Sequence, residues 1–266
     1  MSRKSKSLVS VGLLTAAAAA WVVATVGCGE RGQGAARQPK PAAKPAEANA
    51  PVSAEGLVPI SLQLPKPSDI GTPKEPPPGT RVKIPKGGKW ALRKPFLAPK
   101  GVRNVALNKP VTSSDAEPVI GTLDLITDGC KEAVEDAFVE LGYDVQWVQI
   151  DLERACRIHA VVVWHEHKDR RVYHDVVVQV ADDRDFITNV RTLFNNDHDN
   201  SAGLGLGEDW GYFETHEGLL IDVQGVQARY VRLYSNGSTS DEMNRYTEVE
   251  VYALPAGPDA PPAPGR

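Results

Sequence analysis

The stretch ARYVRLYSNGSTSDEMNRYTEVEVYA, Ala228 to Ala253, decides the fold class. Its two ends, ARYVRLY and TEVEVYA, alternate apolar and polar residues, the period-two pattern of half-buried β-strands. Val231 and Leu233 fall on one face, Arg232 and Tyr234 on the other, and Val249 and Val251 repeat the pattern. A polar loop joins the two, so the segment reads as the closing strand pair of an all-β domain. It carries no catalytic motif.

Upstream the texture is the same. QWVQIDL (Gln146–Leu152), RIHAVVVW (Arg157–Trp164), HDVVVQVAD (His174–Asp182), VRTLF (Val190–Phe194) and GLLIDV (Gly218–Val223) are rich in β-branched and aromatic residues, with Gly, Asn and Asp clusters between them. Short strands at regular spacing predict an antiparallel β-sandwich or jelly roll over residues 101–254. About 150 residues suffice for one core. KEAVEDAFVELG, Lys131 to Gly142, is the one helical candidate and reads equally well as an irregular loop.

The flanks differ in kind. MSRKSK is a positive leader, Leu8 to Val26 is almost wholly apolar, and Gly27-Cys28 follows. This looks like a bacterial lipoprotein signal peptide over residues 1–27, with Cys28 as the lipidated residue; an uncleaved signal anchor is the alternative. Either one delivers the chain across a membrane, to the periplasm or the cell surface. Residues 28–100 hold most of the prolines, Pro76-Pro77-Pro78 among them, and predict a disordered, extended linker. Trp90 and Phe96 are its residues fit to dock on the domain. Residues 255–266 read as a flexible tail.

Charge is split between these parts. Residues 31–100 carry 13 Lys and Arg against four Asp and Glu, a balance of +9, whereas 101–254 carry 13 against 28, a balance of −15. So acidic a domain excludes nucleic acid as a partner, because phosphate neutralisation needs clustered cations. Of three cysteines, Cys28 is assigned to the anchor. Cys130 and Cys156 then form an even pair in an exported domain, the setting in which a disulfide persists; two unpaired cysteines are the alternative.

NVALNKPVTSS (Asn104–Ser114), ITDG (Ile126–Gly129), QWVQIDL, IHAVVVW, YHDVVVQVADD, ARYVRLYSNG and YTEVEVYA follow one another in an order that resembles the coagulation factor V/VIII type C, or discoidin, domain family of the galactose-binding-like fold. The resemblance implies an eight-stranded jelly roll without catalytic machinery that binds ligands, glycans in many bacterial members, through loops at one end. It also implies a structural Ca²⁺ held by Asp128 and Glu248, since a hard cation takes carboxylate and carbonyl oxygens. In glycan-binding relatives the loop corresponding to His165–Arg171 supplies polar side chains.

His165, His167, Arg170 and Arg171 are accordingly the candidate sugar ligands, with Tyr143 or Phe138 as the aromatic platform and Asn244 and Tyr246 as further contacts. His165 and His167, two apart, are also a candidate zinc pair. Asp197, Asp199, Ser201 and Glu208 fall at EF-hand ligand positions, but Ala202 stands where that loop needs glycine. No nucleophile elbow, HExxH, P-loop or dinucleotide fingerprint is present.

The sequence thus predicts a lipid-anchored, non-catalytic carbohydrate-binding module on a Pro-rich stalk. An envelope adhesion or scaffold protein gripping a protein partner through the same loops is the alternative, and a glycan-active enzyme the remote one.

Overall fold

RIHAVVVW is apolar on both faces, and the fold is arranged so that both are covered. The computed structural model describes residues 56–67, 71, 73–86 and 93–255. The leader over 1–27, Cys28, Trp90 and the tail from residue 256 lie outside the described residues. Among the described residues no helix is long and apolar enough to cross a membrane.

The strands are β1 (Leu57–Ile60), β2 (Phe96–Pro99), β3 (Arg103–Asn104), β4 (Val111–Ser113), β5 (Val139–Leu141), β6 (Gln146–His165), β7 (Val177–Ala181), β8 (Arg191–Asn195), β9 (Leu219–Ser235) and β10 (Asn244–Pro255). β1 and β2 pair with each other; the rest run in the order β3-β10-β6-β9-β7-β8, with β4 also on β6 and β5 on β10. All these pairings are antiparallel.

Two strands turn a corner. β6 breaks register with β9 between Asp151 and Cys156, where Glu153 adopts φ 64°. The first half of β6 therefore pairs with β4 and the second half of β9, and its second half with β10 and the first half of β9. The result is an antiparallel jelly-roll β-sandwich. Val148, Ile150, Val161, Val163, Val178, Val180, Val231, Leu233, Val249 and Val251 fill the space between the layers. The outward residues of RIHAVVVW, namely Ala160, Val162 and Trp164, are buried too, under Phe96, Ala98, Val102 and Tyr252. Burying one such large side chain stabilises the fold by about 1.5–3 kcal/mol, which holds the paired strands β1 and β2 over the second layer. Part of the expected linker is therefore a packed arm, with Phe96 docked as its sequence suggested.

Three expectations need correction. ARYVRLY and TEVEVYA are strands, but they do not pair with each other, because β6 lies between β9 and β10. KEAVEDAFVELG forms no helix; its end is β5. Cys130 and Cys156 are not bridged, since Cys156 is a free thiol buried in the core, its pKa pushed up by burial. Lys131 lies against Trp164, 5.4 Å from the ring centroid, so Cys130 belongs to that end of β6. Cys156 sits eight residues back along the strand, about 26 Å away at 3.3 Å per residue, and a disulfide needs Cα atoms within about 7 Å.

Candidate functional site

Both ends of β6 arrive at the same end of the sandwich, because β6 and β9 each descend in one layer and climb in the other. The loops gathered there are 142–145, 166–176, 196–218 and 236–243.

The first of them carries an exposed aromatic. Tyr143 stands 64% exposed on a tight turn between β5 and β6, with Asp144 at φ 60°. The turn is clamped from below by Asn244, which is wholly buried. Asn244 Nδ2 donates to the carbonyls on both sides of Tyr143, Gly142 O at 2.7 Å and Asp144 O at 3.0 Å. Its Oδ1 accepts from Ser235 Oγ at 2.7 Å and Gly237 N at 2.9 Å. Asp115 Oδ2 accepts from Gly142 N at 2.9 Å, and Gln146 Nε2 donates to Tyr143 O at 2.8 Å. Asn244 is thus a positioning residue for Tyr143 and not a sugar contact.

The 166–176 loop differs from its sequence reading. His165 is fully buried, its Nδ1 2.7 Å from Glu214 Oε1, its ring stacked on Tyr173 at 4.3 Å and tilted against Tyr246 at 4.7 Å. Tyr246 is equally buried and bonds to Ser235 Oγ. Desolvation raises the phenol pKa of both tyrosines. His167 is buried as well, with Nε2 donating to Lys131 O at 2.9 Å. Arg171 lies mostly under the surface, paired to Glu166 at 2.9 Å and Asp169 at 3.1 Å. His165, His167, Arg171, Asn244 and Tyr246 are therefore internal struts, a correction to their reading as sugar contacts. The two histidines turn to separate partners, so no zinc pair forms. Arg170 and Tyr143 remain at the surface, with Arg170 against Gly71 of the arm.

Asp128 and Glu248 lie on segments joined by one hydrogen bond, from Gly129 N to Glu248. Glu248 is buried in β10; its Oε2 accepts from Gly129 N at 3.1 Å, while its Oε1 has no partner among the described residues. Burial pushes its pKa up to about 9, with Glu250 and Asp128 adding repulsion and Lys131 opposing them. Asp128 is likewise raised, chiefly by burial, while its Oδ1 accepts from Cys130 N at 2.7 Å. The orphaned buried oxygen of Glu248 is of the ligand type a hard cation takes, and Asp128 would be a second carboxylate toward its six to eight oxygens.

Among the described residues, three other carboxylates, Asp175, Asp197 and Asp199, offer oxygens within 4.8 Å of one another. Asp175 stands outside the EF-hand-like run, and no local spacing predicted it. Asp197 is fully buried and accepts from Ser201 N at 3.1 Å and Ala202 N at 2.9 Å. Glu208 of that run is exposed and is not in the group. Glu214, the partner of His165, also escaped the sequence reading.

No family model and no curated protein matches the chain. Among solved structures, chitosan-binding module 1 of a chitosanase/glucanase from Paenibacillus sp. IK-5 is 22% identical, covering 56% of this chain and 98% of that one at a TM-score of 0.39. A fucose binding module of Streptococcus pneumoniae is 19% identical over 56% of this chain and 97% of its own, at 0.40. A family 89 glycoside hydrolase from Clostridium perfringens is 17% identical over 59% of this chain but only 15% of its own, at 0.43. Likenesses of this strength assign no family, and the jelly roll rests on the strand order described above.

Proposed function

We propose that this chain is a non-catalytic glycan-binding module, exported and held at the cell envelope. The observation that carries the reading is Tyr143, an exposed ring on a turn that a buried asparagine holds rigid. Sugar rings present C–H faces that stack on aromatic rings, and a platform fixed before binding loses little conformational entropy when the ligand arrives. Arg170, exposed at the same end of the sandwich, supplies a planar donor for hydroxyls.

Removing an anchor side chain from a binding surface costs about 2 kcal/mol. Tyr143→Ala is accordingly expected to weaken glycan binding at least about tenfold. Its unfolding midpoint should stay within about 2 °C of the parent, since exposed substitutions are close to neutral. Titration of an array-selected glycan into both proteins checks this. Equal affinities would remove Tyr143 from the site, and retention of a protein partner in place of any glycan would favour an adhesion role.

The module further takes up Ca²⁺ through Asp128 and Glu248. What supports this is the buried, partnerless Oε1 of Glu248. The ion would supply structural charge balance and no chemistry. Ca²⁺ at a hundred times its Kd should raise the unfolding midpoint by roughly 5–10 °C relative to chelator. Glu248→Gln, which keeps an acceptor for Gly129 N, should fold and lose that response. An identical midpoint with and without Ca²⁺ in the parent would refute the assignment.

A further inference from the structure

The Pro-rich arm meets the loop end through a short stretch of backbone. Val82 forms a parallel bridge with Gly211, Gly211 N donates to Arg81 O at 2.9 Å, and the Val82 side chain is buried. On either flank, Arg81 lies 5.0 Å and Lys83 4.1 Å from the centroid of the Trp210 ring, which remains 42% exposed. Beneath this contact is a cleft of about 110 Å³, lined by Thr80 and Arg81 of the arm and by His174, Asp175, Asn196 and Asp199 of the 166–176 and 196–218 loops.

We propose that this composite cleft is a saccharide subsite, completed by the arm, that takes the edge of one neutral sugar ring through a vicinal pair of hydroxyls. The proposal deepens the glycan reading above and rests on it.

Size and chemistry point the same way. At roughly 30 Å³ per water-sized group the cleft holds three or four such groups, enough for two hydroxyls and their carbons but not a whole pyranose. A hydroxyl both donates and accepts, and the lining offers both sorts of partner: carboxylates at Asp175 and Asp199, a guanidinium at Arg81 and an amide at Asn196. Trp210, beside the cleft, holds Arg81 and Lys83 over its ring and so anchors the arm at the rim.

The walls are already built. Asp175 Oδ2 accepts from Ser201 Oγ at 2.7 Å and Asn236 Nδ2 at 2.8 Å, and Asp199 Oδ1 from Ser201 N at 3.0 Å. Each carboxylate keeps a second oxygen that these bonds do not use. Arg81 is exposed on the arm's side of the cleft. Its Nη1 lies 2.8 Å from His198 Nδ1, and the same nitrogen lies 3.0 Å from Gly207 O. If Nδ1 carries a proton it bonds Gly207 O and meets Arg81 donor to donor; if not, it accepts from Arg81 and faces the carbonyl lone pair. An unprotonated Nδ1 accepts from Arg81 Nη1, and the remaining guanidinium N–H groups are donors for a ligand hydroxyl.

The test uses the full chain and an array of oligosaccharides, followed by titration of a retained glycan into the parent, Arg81→Gln and Asp199→Asn. The expected result is at least about tenfold weaker binding for each variant, unchanged unfolding midpoints, and loss of parent binding once mild periodate has cleaved the glycan's vicinal diols. Parent-like affinity in both variants, or binding that survives periodate, overturns the composite subsite and leaves the glycan reading standing. Failure of the parent to retain any glycan overturns both.

Discussion

His165→Ala is expected to destabilise the fold by about 3–5 kcal/mol, the combined cost of stripping a buried group of its hydrogen-bond partner and of leaving a cavity in the core. The substitution leaves Glu214 in the core without its 2.7 Å partner, and Oε2 of that carboxylate already has none among the described residues. It also opens a hole between Tyr173 and Tyr246, whose rings sandwich the imidazole. A histidine serving a surface sugar site would behave otherwise, costing less than about 0.5 kcal/mol on removal. Urea unfolding separates the two. The double variant His165→Ala, Glu214→Ala should recover part of the loss, because the stranded carboxylate is gone even though the cavity stays.

Asn244→Ala comes second, with an expected loss of about 2–4 kcal/mol, because a buried polar group stripped of its partner costs 1–3 kcal/mol and several are stripped together. Gly142 O, Asp144 O, Ser235 Oγ and Gly237 N all lose their shared partner. The effect reaches the surface as well. With the clamp gone, the Tyr143 turn loses the bonds on both its flanks, and glycan affinity should fall as it does in Tyr143→Ala although the ring is intact. Chemical unfolding gives the first quantity and titration at a temperature where the variant is folded gives the second. Full affinity in a folded Asn244→Ala protein would show that the turn needs no clamp.

Much of the layer structure was legible in the sequence. Val231, Leu233, Val249 and Val251 declared their inward face by alternation alone, and the structure buries all four. Strand partnership was not legible in the same way. β9 and β10 are neighbours in sequence, yet β6 lies between them, an arrangement that depends on the corner at Glu153. A left-handed glutamate leaves no mark in composition. Parity of cysteines carried no distance, so Cys130 and Cys156 could be paired on paper although a strand's length separates them.

The candidate site was read with the wrong sign of burial. His165, His167, Asn244 and Tyr246 are polar, and polarity in a loop-end segment suggests solvent. Each is instead buried against a partner that sequence distance conceals: Glu214 is 49 residues from His165, and Gly142 is 102 from Asn244. Asp128 and Glu248 were found in the sequence because each sits on a local landmark, an Asp-Gly turn and the start of the last alternating run, and Glu248 Oε2 does accept from Gly129 N beside Asp128. Arg81 stayed hidden because a Pro-rich arm looks like spacer until its backbone is found bridged to Gly211.

The central claim is that a rigid, exposed ring at the loop end holds a sugar. The most direct measurement presents an oligosaccharide array to the intact chain and to Tyr143→Ala side by side, then titrates whatever the intact chain retains. The account predicts a retained glycan and at least about tenfold weaker binding in the variant. An array left bare by the intact chain, or equal affinity in the two proteins, would contradict it.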